Sequence, residues 1–202
     1  RNGRSMNEIN PDQDHIAPLI VVSGPSGVGK STVVARALEL NPQMWLSVSA
    51  TTRAPRAGER EGASYFFVSD LEFTRMVETG NMLEWAQYAG NRYGTPSDPV
   101  QASRQAGVPV ILEIEVQGAR QVRERAPQAT LVFIAPPSVA ELDARLRGRG
   151  TEDEAALATR LEIAHEELAA ISEFDRVLVN SDVTHTAQAL LDLMTNPRNE
   201  DS

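Results

Sequence analysis

The chain of 202 residues contains no cysteine. Disulfides and thiolate metal sites are excluded, and the composition suits a reducing compartment. No apolar run approaches the ~18–20 residues that a membrane span requires. The first residues lack a basic stretch followed by an apolar one, so no secretory leader and no membrane partner are expected, and a cytoplasmic protein is. Positive charge is scarce: 19 Lys and Arg face 28 Asp and Glu, a net charge of −9. Nucleic acid is not an expected partner, because no basic field is available to grip it. Lysine is nearly missing. Of the 19 basic residues 18 are Arg, and Lys30 is the single Lys. A genome that favours Arg codons is the plain explanation of that bias, though it does not account for where Lys30 stands.

A hydrophobic content of 41% with 23% charged residues fits a folded domain and not a disordered chain. The length suits one domain, or one core carrying inserted subdomains. Arg1 to Ser5 precede Met6 and are expected to be an expression remnant, with Met6 the natural start. Residues 1–17 read as a disordered extension and 196–202 as a loose tail. Between them, Leu19 to Ser23 forms a short apolar run bounded by Pro18 and Gly24, the pattern of a buried strand. Val33, Val34, Ala37 and Leu38 then fall on one helical face that stops near Asn41-Pro42. Three more runs, over 108–116, 129–135 and 176–180, read as parallel strands apolar throughout because helices cover both faces. Capping boxes open two helices, Ser138 with Glu141 and Thr151 with Glu154. A last amphipathic helix covers about Thr184 to Met194. Residues 47–99 break the rhythm. Short strand-like segments flank a helix capped by Ser69 and Glu72, with turns at Ala57-Gly58 and Gly80-Asn81, as in an inserted antiparallel or mixed subdomain.

The strand–helix junction at Gly24 carries the chemistry. Gly24-Pro25-Ser26-Gly27-Val28-Gly29-Lys30-Ser31 fits the phosphate-binding pattern G-x-x-x-x-G-K-[ST], with a buried strand before it and an amphipathic helix after it. Successive backbone N–H groups of such a loop turn inward around a phosphate. The helix N-terminus adds partial positive charge. Lys30 would reach the β- and γ-phosphates as a flexible point charge. Ser31 would ligate Mg²⁺. A Gly-rich turn without a ligand is the alternative, and the flanking strand and helix weigh against it. Two Arg clusters accompany the loop: Arg53, Arg56 and Arg60, then Arg145, Arg147 and Arg149, with Arg160 on the next helix. Arg forks match phosphate oxygens bidentately, so two clusters point to two anions. A solvated Arg face is an even alternative for the second cluster. His15, His165 and His185 are isolated and read as surface or packing residues, not metal ligands.

Four segments carry a family resemblance: SVSATTRAPRAGEREGASYFFVS, LEWAQYAGNRYGTP, LEIEVQGARQVR and RLRGRGTE. Over residues 18–195 the chain resembles the guanylate kinases. The first two segments are highly specific to that family. The resemblance implies an α/β P-loop fold of three layers with a mainly parallel central sheet. The core would be 18–46, 100–137 and 169–195, with an inserted small mixed-β GMP-binding subdomain over 47–99 and a helical lid over 138–168. It implies ATP-dependent phosphorylation of GMP, and of dGMP, in purine metabolism, with Mg²⁺ as the metal ion. ATP would lie on Gly24, Ser26, Gly27, Val28, Gly29, Lys30, Ser31 and Thr32, with Arg145, Arg149 and Asn180 nearby. GMP phosphate would meet Arg53, Arg56, Tyr65 and Tyr93, and guanine would be read by Glu84 with help from Ser49 and Thr95. Lys30, Arg53, Arg149 and Arg160 would be the catalytic set. Gly148 and Gly150 would give the lid its freedom.

The chemistry of guanine agrees with that implication. A carboxylate accepts the N1–H and 2-amino donors together, whereas adenine would leave it unpaired, at a cost. A surface carboxylate beside Trp85 is the plain alternative for Glu84. Either Tyr taken alone reads first as packing. Glu113 and Glu115 would share one strand face. By resemblance the first would serve the Mg²⁺ water shell and the second would lie near guanine. Two Glu where the family often has Asp is a departure. So is Ser181 in Asn180-Ser181-Asp182, where the family usually has N-D-D. Rival readings are another nucleoside monophosphate kinase, a kinase-like interaction module that does not catalyse, and a generic P-loop NTPase. The last leaves TTRAPR and LEWAQ unexplained. Monomer and homo-oligomer both stay open.

Overall fold

In a computed structural model, residues 16–148 and 154–195 are described. The expectations for residues 1–15, for Arg149, Gly150 and Thr151, and for the tail from 196 lie outside the described residues. In chain order the elements are β1 (Leu19–Ser23), α1 (Lys30–Leu40), β2 (Trp45–Leu46), β3 (Ala50–Thr51), β4 (Phe66–Phe67), α2 (Asp70–Glu78), β5 (Met82–Tyr88), β6 (Asn91–Pro96), α3 (Ser97–Gln105), β7 (Val110–Glu113), α4 (Val116–Arg125), β8 (Thr130–Ala135), α5 (Val139–Arg147), α6 (Glu154–Ala169), a 3₁₀ turn (Ala170–Glu173), β9 (Arg176–Val179) and α7 (Val183–Thr195).

β1 is buried along its whole length and lies at the centre of the larger sheet. That sheet has the order β2-β7-β1-β8-β9, and every pairing in it is parallel. Alternation along β1 serves two layers, since neighbouring strand residues face opposite sides. Ile20 and Val22 pack under α1 and α7, with Val33, Ala37, Ala187 and Leu190. Leu19 and Val21 pack on the other side with Ala119 and Val122 of α4. The chain leaves β1 between β7 and β8, at a switch in strand order, where a crevice forms at the carboxyl ends of the strands. The loop from Gly24 to Ser31 therefore opens onto that crevice.

The smaller sheet has the order β4-β3-β6-β5 and is mixed: β3 runs parallel to β4 and antiparallel to β6, which is antiparallel to β5. Its core is Ala50, Phe73 and Met82. Phe73 comes from α2, whose first turn is capped by the Ser69 hydroxyl accepting from the Glu72 amide at 3.2 Å. The Phe73 ring meets Trp85 edge-on with centroids 6.2 Å apart, and the Arg92 guanidinium lies 4.7 Å over it. The Ser138 cap of α5 is also formed, accepting from the Glu141 amide at 3.1 Å.

The structure corrects the sequence reading at three places. The run 108–116 is a strand only to Glu113, because Glu115 is extended at the N-cap of α4 and turns the chain into a helix. Glu113 and Glu115 thus do not share a strand face. β9 is not covered on both faces: it is an edge strand, and Val177 and Val179 are about half exposed while Leu178 packs inward. β6 went unread because Gly94 and Pro96 look like turn residues. Gly94 is there for closeness, since a Cβ would stand 2.6 Å from the Glu84 carbonyl oxygen.

Phe73 is fully buried and bridges helix and sheet. Phe73→Ala is expected to cost about 3–5 kcal/mol in denaturant unfolding. A loss within the range of a surface substitution would show that the small sheet does not depend on this ring.

Candidate active site

Backbone geometry shapes the loop from Gly24 to Ser31. Gly24 has φ +143, and a Cβ there would stand 2.3 Å from the Ile134 carbonyl oxygen of β8. Gly29 is left-handed, at φ 95, where it caps the N-terminus of α1. No other residue type accepts both the conformation and the closeness at Gly24. The loop is braced from outside by two later elements. The Val28 carbonyl accepts from Asn180 Nδ2 at 2.9 Å and from Arg145 Nη1 at 3.3 Å. Leu142 and Leu146 of α5 pack against Gly27.

Two cavities border the loop. One of about 470 Å³ is lined by Gly27, Gly29, Thr32, Arg145, Asn180 and Ser181, among others. The second, about 260 Å³, contains Ser26, Lys30, Ser31, Thr32, Glu113 and Glu115. Lys30 is buried. Its ammonium donates to the Gly24 carbonyl and lies 3.6 Å from Glu115. The Ser31 hydroxyl donates to the Glu113 carboxylate. Glu115 therefore faces Lys30, and the two glutamates flank the loop from a strand end and a helix cap.

Glu167 of α6 completes this cluster and was not picked out from the sequence. Its carboxylate accepts the Ser26 amide at 3.2 Å and meets Glu115. The one sequence cue is that Glu167 stands two helical turns after Arg160, on the same face. Burial, reinforced by the neighbouring Glu115 carboxylate, raises the Glu167 pKa to about 7. Arg160 lies half-buried on α6. Arg149 falls outside the described residues, so of the three expected lid arginines only Arg145 and Arg160 are placed.

The small sheet carries the residues expected at the other anion site. Arg53 makes a two-pronged pair with Glu59, at 2.8 and 3.0 Å. Its guanidinium lies 5.4 Å over the Tyr65 ring. Tyr65 meets Tyr93 edge-on at 6.1 Å. Hydrogen bonding to Glu59, with a further contribution from Tyr93, holds Arg53 charged. Glu59 is in turn held well ionised by Arg53 and by the Arg56 amide, which donates to it at 2.7 Å. The side chains of Arg56 and Arg60 are exposed. Glu59, missed from the sequence, orients the Arg that a phosphate would meet. Its spacing six residues after Arg53 and three after Arg56 was the available cue.

Glu84 of β5 is buried, with 8% exposure, which removes the surface alternative. Thr95 of β6 donates its hydroxyl to Glu84 Oε1 at 2.6 Å. Burial raises the Glu84 pKa, and the Thr95 bonds and the charge of Arg125 pull it back. Among the described residues Glu84 has no ion pair. A buried carboxylate with one oxygen anchored and no cation in contact suits a ligand that brings a pair of N–H donors. Ser49 stands just before β3, where its carbonyl accepts the Phe66 amide. A fitting ligand thus carries an anion toward Arg53, Tyr65 and Tyr93 and donors toward Glu84, while a second polyanion lies on the loop.

Comparison with known proteins agrees with that geometry. The family model described as guanylate kinase matches residues 17–197. The chain is 56% identical over 181 residues to the guanylate kinase of Synechococcus sp. (strain CC9311), covering 90% of this chain and 95% of that protein. It is 58% identical to that of Streptomyces coelicolor, covering 87% and 89%. A crystal structure of guanylate kinase from Anaplasma phagocytophilum is similar at a TM-score of 0.68 and 33% identity, covering 92% of this chain and 88% of that one.

The folded chain keeps the Glu167 proton up to about pH 7, while an unfolded Glu loses it near the ordinary value of 4.5. Between those values the native state binds more protons, so stability falls as pH rises through this window. Glu167→Gln is expected to flatten that fall and to raise the thermal midpoint at pH 8, read by scanning calorimetry from pH 5 to 8. An unchanged slope in the variant would assign the titration to another group.

Proposed function

The chain belongs to the guanylate kinase family, and on that premise we propose that it transfers the γ-phosphoryl group of ATP to GMP, giving ADP and GDP, with dGMP as a second acceptor. The observation that carries the substrate choice is Glu84, a buried carboxylate anchored by Thr95. Guanine supplies N1–H and the 2-amino group to such a carboxylate together. Adenine, cytosine and uracil lack that pair and would leave the group unsatisfied. The 5′-phosphate would lie on Arg53, with Arg56, Tyr65 and Tyr93 around it.

ATP would stretch its phosphates along Gly24 to Thr32, with the loop amides and Lys30 as donors. Lys30 would leave the Gly24 carbonyl and Glu115 to reach the β- and γ-oxygens. The Ser31 hydroxyl and the Glu113 carboxylate are two hard oxygen donors in mutual contact, a fit for Mg²⁺, which takes few protein ligands and relies on substrate oxygens. Bound there, the ion would neutralise charge on the phosphates of ATP. We assign residues 47–99 to the GMP-binding subdomain and 138–168 to a lid, whose Arg145 and Arg160 would approach ATP, as would Arg149.

A GMP phosphate oxygen attacks the γ-phosphorus in line as the bond to the β-bridging oxygen breaks. The phosphate dianion is already nucleophilic, so no strong general base is needed. The chain's part is alignment and charge neutralisation. Closing the lid would keep water from competing for the γ-phosphoryl group. We place this reaction in purine nucleotide metabolism in the cytoplasm, in keeping with the cysteine-free composition.

A coupled assay with GMP, AMP, CMP and UMP tests the reading, GMP being the expected substrate. Lys30→Ala is expected to lower kcat by about 10²–10³-fold or more with the fold intact by circular dichroism. Normal turnover in that variant would remove Lys30 from catalysis, and no turnover in the parent chain would favour an interaction module. Arg53→Ala should lower kcat/KM for GMP while ATP binding survives. Equal loss of both would indicate a folding defect instead.

A further inference from the structure

β5 is the outer strand of the small sheet, and an outer strand exposes unpaired main-chain groups. At the residue after Glu84 those groups are taken by one side chain. The Trp85 amide donates to Gln121 Oε1 at 3.1 Å, and Gln121 Nε2 donates to the Trp85 carbonyl at 2.9 Å. The Gln121 amide thus makes the pair of bonds that a peptide group of a further strand would make. Gln121 is on α4, in the other lobe of the fold. Three residues before it, on the same helical face, Gly118 faces the carboxylate itself: a Cβ there would stand 3.0 Å from Glu84 Oε2 and 3.3 Å from Ile114 Cδ1. Four residues after it, Arg125 Nη1 donates to the Met82 carbonyl at 3.0 Å. One face of α4 therefore holds β5 at Met82, Glu84 and Trp85.

We propose that Gln121 is a positioning residue for base recognition: with Gly118 it fixes where the Glu84 carboxylate stands, acting through the Trp85 main chain and touching no substrate. The inference rests on Glu84 reading guanine. The base edge demands that both carboxylate oxygens meet two donors in one plane. Such a pairing fails on shifts of well under an ångström, because bidentate bonds weaken steeply with misalignment. Thr95 restrains the carboxylate only from the β6 side. Gln121 supplies restraint from the opposite side of β5, where the sheet itself has no neighbour.

The test compares GMP with IMP, which keeps N1–H but lacks the 2-amino group, in steady-state assays at saturating ATP. The variants are Gln121→Met, which keeps the length without the amide, Gln121→Glu, which keeps the oxygen that accepts the Trp85 amide, Gly118→Ala, Glu84→Gln, and the Gln121→Met/Glu84→Gln pair. Gln121→Met is expected to raise KM for GMP about 10-fold, to leave KM for ATP unchanged and to lower the GMP:IMP preference. Gln121→Glu should restore part of that preference. Gly118→Ala, should Gln121→Met not fold, carries the same expectation by pushing on Glu84 directly. In the double variant Gln121→Met should add little to Glu84→Gln. An unchanged GMP:IMP preference in both Gln121→Met and Gly118→Ala, with the normal loss in Glu84→Gln, would overturn the positioning role alone. An unchanged preference in Glu84→Gln would overturn the base-reading role of Glu84 and the inference with it. Full additivity in the double variant would show that Gln121 acts by a route other than Glu84.

Discussion

An acidic chain that joins two polyanions has to create positive potential locally, and here it does so mainly with backbone. The loop from Gly24 to Ser31 depends on a Cα with no side chain against the Ile134 carbonyl. That closeness sets the loop against the adjacent central strand β8. Lys30, at the first turn of α1, adds a mobile charge to this fixed array. The net charge of −9 is then no obstacle, since the field that matters is set within a few ångströms by groups of fixed orientation.

Both proposed phosphate sites are kept in shape by the chain's own carboxylates. Glu59 holds the Arg53 fork, and Glu167 accepts the Ser26 amide. The two differ in electrostatics. Glu59 is shared between a guanidinium and a main-chain amide, which lower its pKa and keep it ionised. Glu167 has Glu115 as a neighbour and retains its proton to about pH 7. A phosphate reaching Arg53 meets a cation already turned into place. A triphosphate reaching the loop meets a carboxyl group whose charge depends on pH, so the donor side is the more proton-sensitive of the two.

Local pattern made the core legible. A buried strand, a Gly-rich turn, an amphipathic helix and capped helix starts each follow from a few adjacent residues, and β1, α1, α2, α5 and α7 formed where the periodicity and caps put them. Elements whose cause lies elsewhere were not legible. β6 contains Gly94 because β5 crowds it, not because the chain turns there. α4 begins at Val116 because Glu115 takes an extended cap, where composition alone continued a strand. β9 is half open because it is the last strand, and strand order is not a local property. At the site, Lys30, Arg53 and Glu84 stood out through motif and resemblance. Glu167 and Gln121 did not, since each acts on a main-chain group 141 or 36 residues away.

One helix connects the two halves of the proposed chemistry. The N-cap of α4, Glu115, faces Lys30 beside the phosphate loop. Its first turn places Gly118 against Glu84, and its second places Gln121 on Trp85. From Glu115 to Gln121 is six residues, about 9 Å of helix rise. A helix of this kind is stiff over that length, because each turn is bonded to the next. The stretch from the Gly24–Ser31 loop to the Glu84 carboxylate, the proposed base reader, is therefore carried by a rigid strut and not by the loops of the small sheet. Phosphoryl transfer needs reacting atoms within about 3–3.5 Å and in line. On the proposed reading the base would be held by Glu84, on a strand fastened to the same helix that borders the Gly24–Ser31 loop, so the remaining freedom would lie with the Arg53 side of the small sheet and with the proposed lid. Those are the parts that would have to move inward on binding, while α4 stays with the core.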